Sequence, residues 1–307
     1  MHHPSFTTPL ALPLLITLIA CGPDITFDEQ ARDDLESYSN TTTPDSSNGD
    51  ASRLDALGHG AWDAVVGRYV IGDCFDYDAL AASSEGQALL QLYVEQLGRV
   101  DLTSDMTRDE RFALWVNAYN AMTVTGVLSE RALDPAFRVD RDDFSFFKQA
   151  RYNVGGMVLA LDQMEHGVLR MDPDHPTVQQ LDDGLKAQVS DEAARIATLD
   201  PRLHFAVNCA SASCPPLRAA AYRGADLETQ LSEQTTRFLD DPGRGAGPEG
   251  ISMLFTWFEG DFLAEAPIPD FIGAYRTDGL NGVDTSRALP YDWSLNAYDP
   301  ANPACSP

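Results

Sequence analysis

Residues 107–128 read TRDERFALWVNAYNAMTVTGVL. Thr107 followed three positions later by Glu110 has the form of a capping box, in which the hydroxyl accepts a backbone N–H and the Glu reaches back. A helix is therefore predicted from Arg108 to about Leu128. Phe112, Leu114, Trp115, Val116, Tyr119, Met122, Val124 and Val127 cover most of its circumference. A helix that is apolar nearly all round belongs inside a core, not on a surface. Within it stand Asn117 and Asn120, three apart and so on one face. A buried amide without partners costs on the order of 1–3 kcal/mol. Two on one face imply a polar seam: either part of a site, or backbone-bonding asparagines that hold a neighbouring loop.

The flanking sequence adds elements outward from this rod. Ala61–Tyr69 and Gln87–Leu97 have helical apolar spacing. Residues 152–160, YNVGGMVLA, read as a hairpin turning at Gly155-Gly156. LDQMEHGVLR follows at 161–170, with Asp162 read as an N-cap and Glu165 at N3. His166 is four from Asp162 and four from Arg170, so the three share a face. Either a carboxylate orients His166 as a base, or Glu165 caps the helix and His166 merely packs. Asp226–Leu239 fits an amphipathic helix, Ile251–Phe258 is apolar and β-prone, and YDWSLN at 291–296 is expected as a strand or turn on the core. The predicted fold is α+β: a mostly helical single domain with a small antiparallel sheet. A buried helix beside such a sheet is similar to the layout of papain-like and transglutaminase-like folds.

The stretch richest in reactive side chains is 200–217, DPRLHFAVNCASASCPPL. His204 and Asn208, four apart, face the same way on a helix or a strand. The alternation Leu203, Phe205, Val207 favours a strand. A strand places Cys209 on the apolar side, away from His204. Ala210-Ser211-Ala212-Ser213 has no bulky side chain, so a backbone or ligand can come close, and Pro215-Pro216 stops any regular element. These residue types serve thiol chemistry, metal binding or a stapled loop, and equally a core strand running into a turn. Zinc held by Cys209, Cys214 and His166 or His204 has the right ligand types. There is no C-x-x-C pair and no H-E-x-x-H, so the metal signal is weak.

Leu10–Ala20 is an apolar run of signal-peptide length, too short to span a bilayer as a mature helix. Leu18-Ile19-Ala20-Cys21 resembles the bacterial lipobox, which predicts a signal peptide over 1–20 and lipidation of Cys21. Several acyl chains give stable anchoring to a lipid bilayer. His2 and His3 replace the usual Lys or Arg, so an ordinary secretory signal or an uncleaved anchor is the alternative. Gly22, in place of Asp, favours the outer membrane by resemblance to Gram-negative sorting. Residues 21–50 are rich in Ser, Thr, Asp and Asn and read as a disordered tether, leaving 51–307 as the globular domain. The expected location is the cell envelope, as an exported lipoprotein.

The net charge of −26, with only Lys148 and Lys186 as lysines, excludes nucleic acid as a partner. Of five cysteines, four remain after Cys21, and export permits disulfides among them. Cys209–Cys214 closes a small loop and Cys74–Cys305 ties the ends of the domain; three pairings exist and the sequence does not choose. No phosphate loop, nucleotide fingerprint or G-x-S-x-G elbow is present, and no cofactor is called for.

LWVNAYNAMTV, YNVGGMVLALDQMEHGVLR, HFAVNCASASCPPL, AYRGADLETQLSEQTTRFL, MLFTWFEGDF and YDWSLN, in that order between about residues 61 and 296, resemble the DUF547 family, a domain of unknown function. That family occurs in bacterial exported proteins and in plant proteins with a leucine-zipper segment. The resemblance gathers Asn117, Asn120, Glu165, His166, His204, Asn208, Cys209, Ser211, Cys214 and Asp292 as family-like polar positions; Cys74 and Cys305 fall outside the pattern. Cysteine catalysis needs a thiolate, a proton acceptor and an orienting group. Here Cys209 or Cys214, His166 or His204, Glu165, and Asn208, Asn117 or Asp292 are the candidates. The predicted activity is a cysteine-dependent hydrolase or acyl or peptidyl transferase on peptide or cell-envelope substrates. His166 precedes the cysteines, whereas papain-like folds run Cys then His. The alternative is a non-catalytic envelope binding or assembly module with a structural Cys209–Cys214 disulfide.

Overall fold

In the computed structural model, which describes residues 58–149 and 152–306, the capping box at Thr107 forms as expected. Glu110 N donates to Thr107 Oγ1 at 3.3 Å and Thr107 N donates to Glu110 Oε2 at 2.7 Å. The central helix runs Arg108–Leu133, past the expected end at Leu128. Its stop is Asp134-Pro135: the residue before a proline is pushed out of the helical region. All eight apolar positions listed for this helix are at most 1% exposed. Ser84–Arg99, Asp183–Ile196 and Leu227–Leu239 pack around it. Arg111, inside this shell, forms a buried ion pair with Glu192 at 2.7 Å, and Trp115 Nε1 donates to the same carboxylate at 3.0 Å.

The fold is mostly helical α+β, as predicted. The antiparallel sheet is divided: among the described residues there are three two-stranded ladders, at 70–75, 152–159 and 246–251. The hairpin pairs Tyr152–Val154 with Met157–Leu159 and turns at Gly155 and Gly156, whose φ values of +57° and +88° a side chain disfavours.

Three local readings are corrected. Leu203–Ala206 is a helical turn and not a strand. Asp200 starts it, accepting Arg202 N at 3.0 Å through Oδ1 and Leu203 N at 3.0 Å through its carbonyl. This start signal, with Pro201 in the first turn, outweighs the alternation of Leu203, Phe205 and Val207. Asp162 already has helical dihedrals and caps nothing; Gln163 Oε1 accepts Ala160 N at 2.8 Å instead. Residues Gln163–Leu169 then form a π-helical turn, with Arg170 N bonded to Glu165 O at 2.8 Å, so Glu165 is not the N3 partner of a cap. In 251–258 only Ile251 lies in a strand. Ser252 turns the chain, accepting Phe255 N at 3.2 Å through its carbonyl, and Leu254–Trp257 is helical.

YDWSLN lies extended along the reactive loop. Ala212 N donates to Ser294 O at 2.7 Å, Ser213 N to Asp292 O at 3.2 Å and Asn296 N to Ala210 O at 3.0 Å. Just beyond, Tyr298 N donates to Phe75 O at 2.9 Å, and the disulfide Cys74–Cys305 secures the same corner. The main core surrounds the central helix; a second, aromatic core gathers Phe205, Phe238, Phe255, Phe262 and Phe271. The expected signal peptide, lipidated Cys21 and tether lie outside the described residues. No described helix is long and apolar enough to cross a membrane.

Candidate functional site

A cleft of about 370 Å³ opens where the two cores meet, and Cys209 and Cys214 both line it. The loop that carries them is fixed by amides. Asn120 Nδ2 donates to Ala206 O at 2.9 Å and its Oδ1 accepts Asn208 N at 2.8 Å. Asn208 Nδ2 donates to Pro215 O at 2.7 Å, and its Oδ1 accepts Ala210 N at 2.9 Å. Ala210, at φ +62°, folds the chain back between the two cysteines. Asn117 clamps another segment, donating to Tyr222 O at 2.8 Å and accepting Tyr222 N at 2.9 Å. The polar seam is thus a loop-holding network, and neither Asn117 nor Asn208 lines the cleft. Asp292 is exposed and closes its own turn, accepting Ser294 N at 2.8 Å; it too stands outside the cleft.

Cys209 and Cys214 are free thiols. Cys209 N donates to Cys214 Sγ at 2.8 Å. The Cys209 sulfur lies 3.1 Å from Ser211 Oγ and 3.4 Å from Tyr291 OH. Burial pushes the Cys209 thiol up, but hydrogen bonds from Cys214, Ser211 and Tyr291 outweigh it and hold Cys209 below its ordinary 9.0. Burial and the neighbouring Cys209 push Cys214 well above that value. The pair therefore divides into one thiolate-prone sulfur, half-buried at the cleft, and one buried thiol that donates to it.

The helical turn at 203–206 brings His204 into the same cleft as Cys209, where a strand would have separated them. His204 is 2% exposed and its Nε2 lies 2.8 Å from Asp261 Oδ2. The ring stacks on Phe258 at 3.9 Å. Arg170 spans the same carboxylate, with Nε to Oδ2 at 2.7 Å and Nη2 to Oδ1 at 3.0 Å. Its Nη1 reaches His166 Nδ1 at 2.7 Å. A guanidinium only donates, so His166 Nδ1 accepts and its ring proton sits on Nε2. Burial, His175 and Arg170 push His166 down to about 2; burial also lowers His204, against the pull of Asp261. Both rings are neutral at neutral pH.

The cleft's carboxylates move the other way. Burial raises Glu165 to about 7, with Asp162 adding to it and Arg170 and a hydrogen bond from Tyr119 opposing. Burial likewise raises Asp162 to about 6, opposed by Lys148. The walls are aromatic: Tyr119, Phe144, Phe147, Trp257, Phe258 and Trp293. At the mouth Tyr291 packs on Trp293 at 4.3 Å and Trp257 at 4.7 Å.

Of the predicted site residues, the structure brings together Cys209, Cys214, His166, His204 and Glu165. It adds Asp261 and Tyr291, which the sequence reading passed over. Both lie inside quoted motifs, MLFTWFEGDF and YDWSLN, but neither has a local spacing that ties it to Cys209 or His204. The cysteine pairing adopted is Cys74–Cys305, and the staple between Cys209 and Cys214 is open. Among the described residues no group of three or more His, Cys, Asp or Glu is placed to hold a metal ion.

The class this defines is a mostly helical domain with a hydrogen-bonded thiol in an aromatic cleft. The family model described as "Protein of unknown function, DUF547" matches residues 103–239, which carry the central helix, Glu165, both cleft histidines and both free cysteines. Over that span the chain matches the DUF547 family model, the resemblance its motifs carried. No curated protein and no solved structure matches the chain.

Proposed function

We propose that this DUF547 domain performs thiol-dependent hydrolysis or acyl or peptidyl transfer, with Cys209 as nucleophile and Glu165 as proton carrier. The observation that carries this reading is the Cys209 sulfur, held by Ser211 and Tyr291 in the cleft that also holds a near-neutral Glu165. A general acid–base works best when its pKa is near the working pH. Glu165, at about 7, meets that condition; His166, at about 2, does not.

The Cys209 thiolate attacks the carbonyl carbon of an ester, thioester or amide, and a carbon–sulfur bond forms. The leaving alcohol, thiol or amine departs with the proton of Glu165. Water then gives a proton to the Glu165 carboxylate and splits the thioester, releasing the acid and restoring the sulfur. An amine in place of water makes the reaction a transfer. The pair His204–Asp261 supplies a fixed neutral imidazole whose positive form Asp261 stabilises.

The setting we propose is the cell envelope, with the chain anchored to the bilayer through lipidated Cys21 and acting on peptide or acyl substrates there. Loss of palmitate labelling in Cys21→Ala tests the anchor. For the chemistry, the full chain is mixed with a panel of aryl esters and acyl thioesters and its mass is followed. The expected result is an acyl adduct on Cys209 that persists in Glu165→Gln and is absent from Cys209→Ala. Adducts unchanged in folded Cys209→Ala overturn the reading.

A binding module without turnover is the second reading. It is favoured by the aromatic stack at the mouth, where Trp257 is 42% exposed. Quenching of tryptophan emission by substrates that leave no adduct and no product decides for it.

A further inference from the structure

We propose that Cys209 and Cys214 form a reversible oxidation site: a hydroperoxide oxidises Cys209, and Cys214 closes the pair into a disulfide. The effect on turnover rests on the role given to Cys209 above; the closure itself does not.

The geometry prepares the pair. Cys214 Sγ sits 2.8 Å from the Cys209 backbone nitrogen and is also hydrogen-bonded to the Cys209 side chain. The turn at Ala210 makes the approach, and the loop is pinned on both sides of it. Cys214 N donates to Ser211 O at 3.1 Å, and Ala212 and Ser213 bond to the 291–296 strip. Access divides the labour. Cys209 is half-buried at the cleft, where a small oxidant reaches it, while Cys214, though it also borders the cleft, is buried at 5% exposure. A thiolate is the form that oxidants attack, and the Ser211 and Tyr291 hydroxyls stand where they stabilise it.

A second observation concerns the surroundings. The chain holds Cys74–Cys305 as a formed disulfide. Compartments in which such bonds persist are oxidising. The open pair at 209 and 214 therefore meets oxidant in the same place that keeps the other bond closed.

The steps balance. The Cys209 thiolate attacks the distal oxygen of the hydroperoxide and the O–O bond breaks. The leaving alkoxide or hydroxide takes a proton, and Cys209 becomes a sulfenic acid. The Cys214 sulfur then attacks Cys209; a sulfur–sulfur bond forms and hydroxide leaves with the Cys214 proton as water. The pair has lost two electrons and the peroxide has gained them. An external dithiol reverses the change by exchange. Closure removes the nucleophile and the thiol that donates to it, and so blocks the cleft before irreversible oxidation to the sulfinic acid.

The test is thiol counting and peptide mapping on the full chain before and after one equivalent of hydrogen peroxide. The expected result is loss of both free thiols, a Cys209–Cys214 cross-linked peptide, and recovery with dithiothreitol while Cys74–Cys305 stays closed. A pair isolated already closed and opened the same way gives equal support. In Cys214→Ser the expected product is a sulfenic acid at Cys209, trapped by dimedone; Cys214→Ala serves if the serine variant fails to fold. Retention of the Cys214 thiol while Cys209 proceeds to sulfinic acid in the unmodified chain overturns the proposal. So does a closed pair that no dithiol opens without unfolding. Because closure is read by mass, its failure is distinct from a failure to hydrolyse.

Discussion

His204 Nε2 lies 2.8 Å from Asp261 Oδ2, across 57 positions of sequence. The same carboxylate takes two hydrogen bonds from Arg170, which in turn donates to His166. One acid thus fixes the orientation of both cleft histidines. Burial pushes Asp261 up, yet the bonds from His204 and Arg170 hold it down at about 2, below its ordinary 3.8. A depressed carboxyl contributes stability that is present above its unfolded value and lost as pH falls through the folded one. Asp261→Asn should therefore cost on the order of 2 kcal/mol at pH 7. The gap from the parent should close between about pH 4 and 2, measured by urea denaturation across that range.

Alkylation should single out Cys209. Its rate with iodoacetamide should rise with a midpoint below the ordinary thiol value of 9.0, because the bonds from Cys214, Ser211 and Tyr291 favour the thiolate. Tyr291→Phe and Ser211→Ala each remove one such donor. Each should move the midpoint upward, and Cys209→Ser should abolish the fast phase. A midpoint unmoved in both hydroxyl variants would contradict the assignment.

Glu165 carries the opposite sign. Its folded value, raised by burial to about 7 from 4.5, means that the fold prefers the protonated acid. That preference is fully present below pH 4.5 and is lost as pH rises through 7. Glu165→Gln mimics the protonated form. It should equal the parent near pH 4 and exceed it at pH 8 by on the order of 2–3 kcal/mol. The readout is the difference in denaturation midpoint between the two proteins as pH is raised.

Asn120 is predicted to matter to the site without touching it. Asn120→Ala leaves Ala206 O and Asn208 N unpaired in the core, at a cost of about 1–3 kcal/mol. The Cys209 loop should loosen with it, so that the second, buried thiol at Cys214 becomes reactive toward a maleimide in native buffer. Asn117→Ala should cost a similar amount without exposing Cys214, since it holds Tyr222 instead.

Much of the fold was legible because its signals are local. The capping box at Thr107, the apolar circumference of the central helix and the Gly155-Gly156 turn each lie within a few residues. The Asp134-Pro135 stop was equally local and sets the true helix end. Other features depend on which of two local signals wins. At Asp200-Pro201 a helix start defeated a three-residue alternation, and that decision placed His204 beside Cys209 in the cleft. At Gln163 a side chain took the role expected of Asp162; the π turn then left Glu165 free to face the cleft. The rest is not local at all. Nothing near His204 points to Asp261, and nothing near Cys74 points to Cys305, 231 positions away.

The strip 291–296 has one more implication. It lends Tyr291 to the Cys209 sulfur and pairs with the reactive loop from Ala210 to Ser213, yet it is synthesised some eighty residues after that loop. While a chain is still emerging from a ribosome, Cys209 lacks its phenol and its loop lacks its backing. The Cys209 sulfur thus gains its phenol hydrogen bond only when the late segment docks, in the same corner where Cys74 meets Cys305.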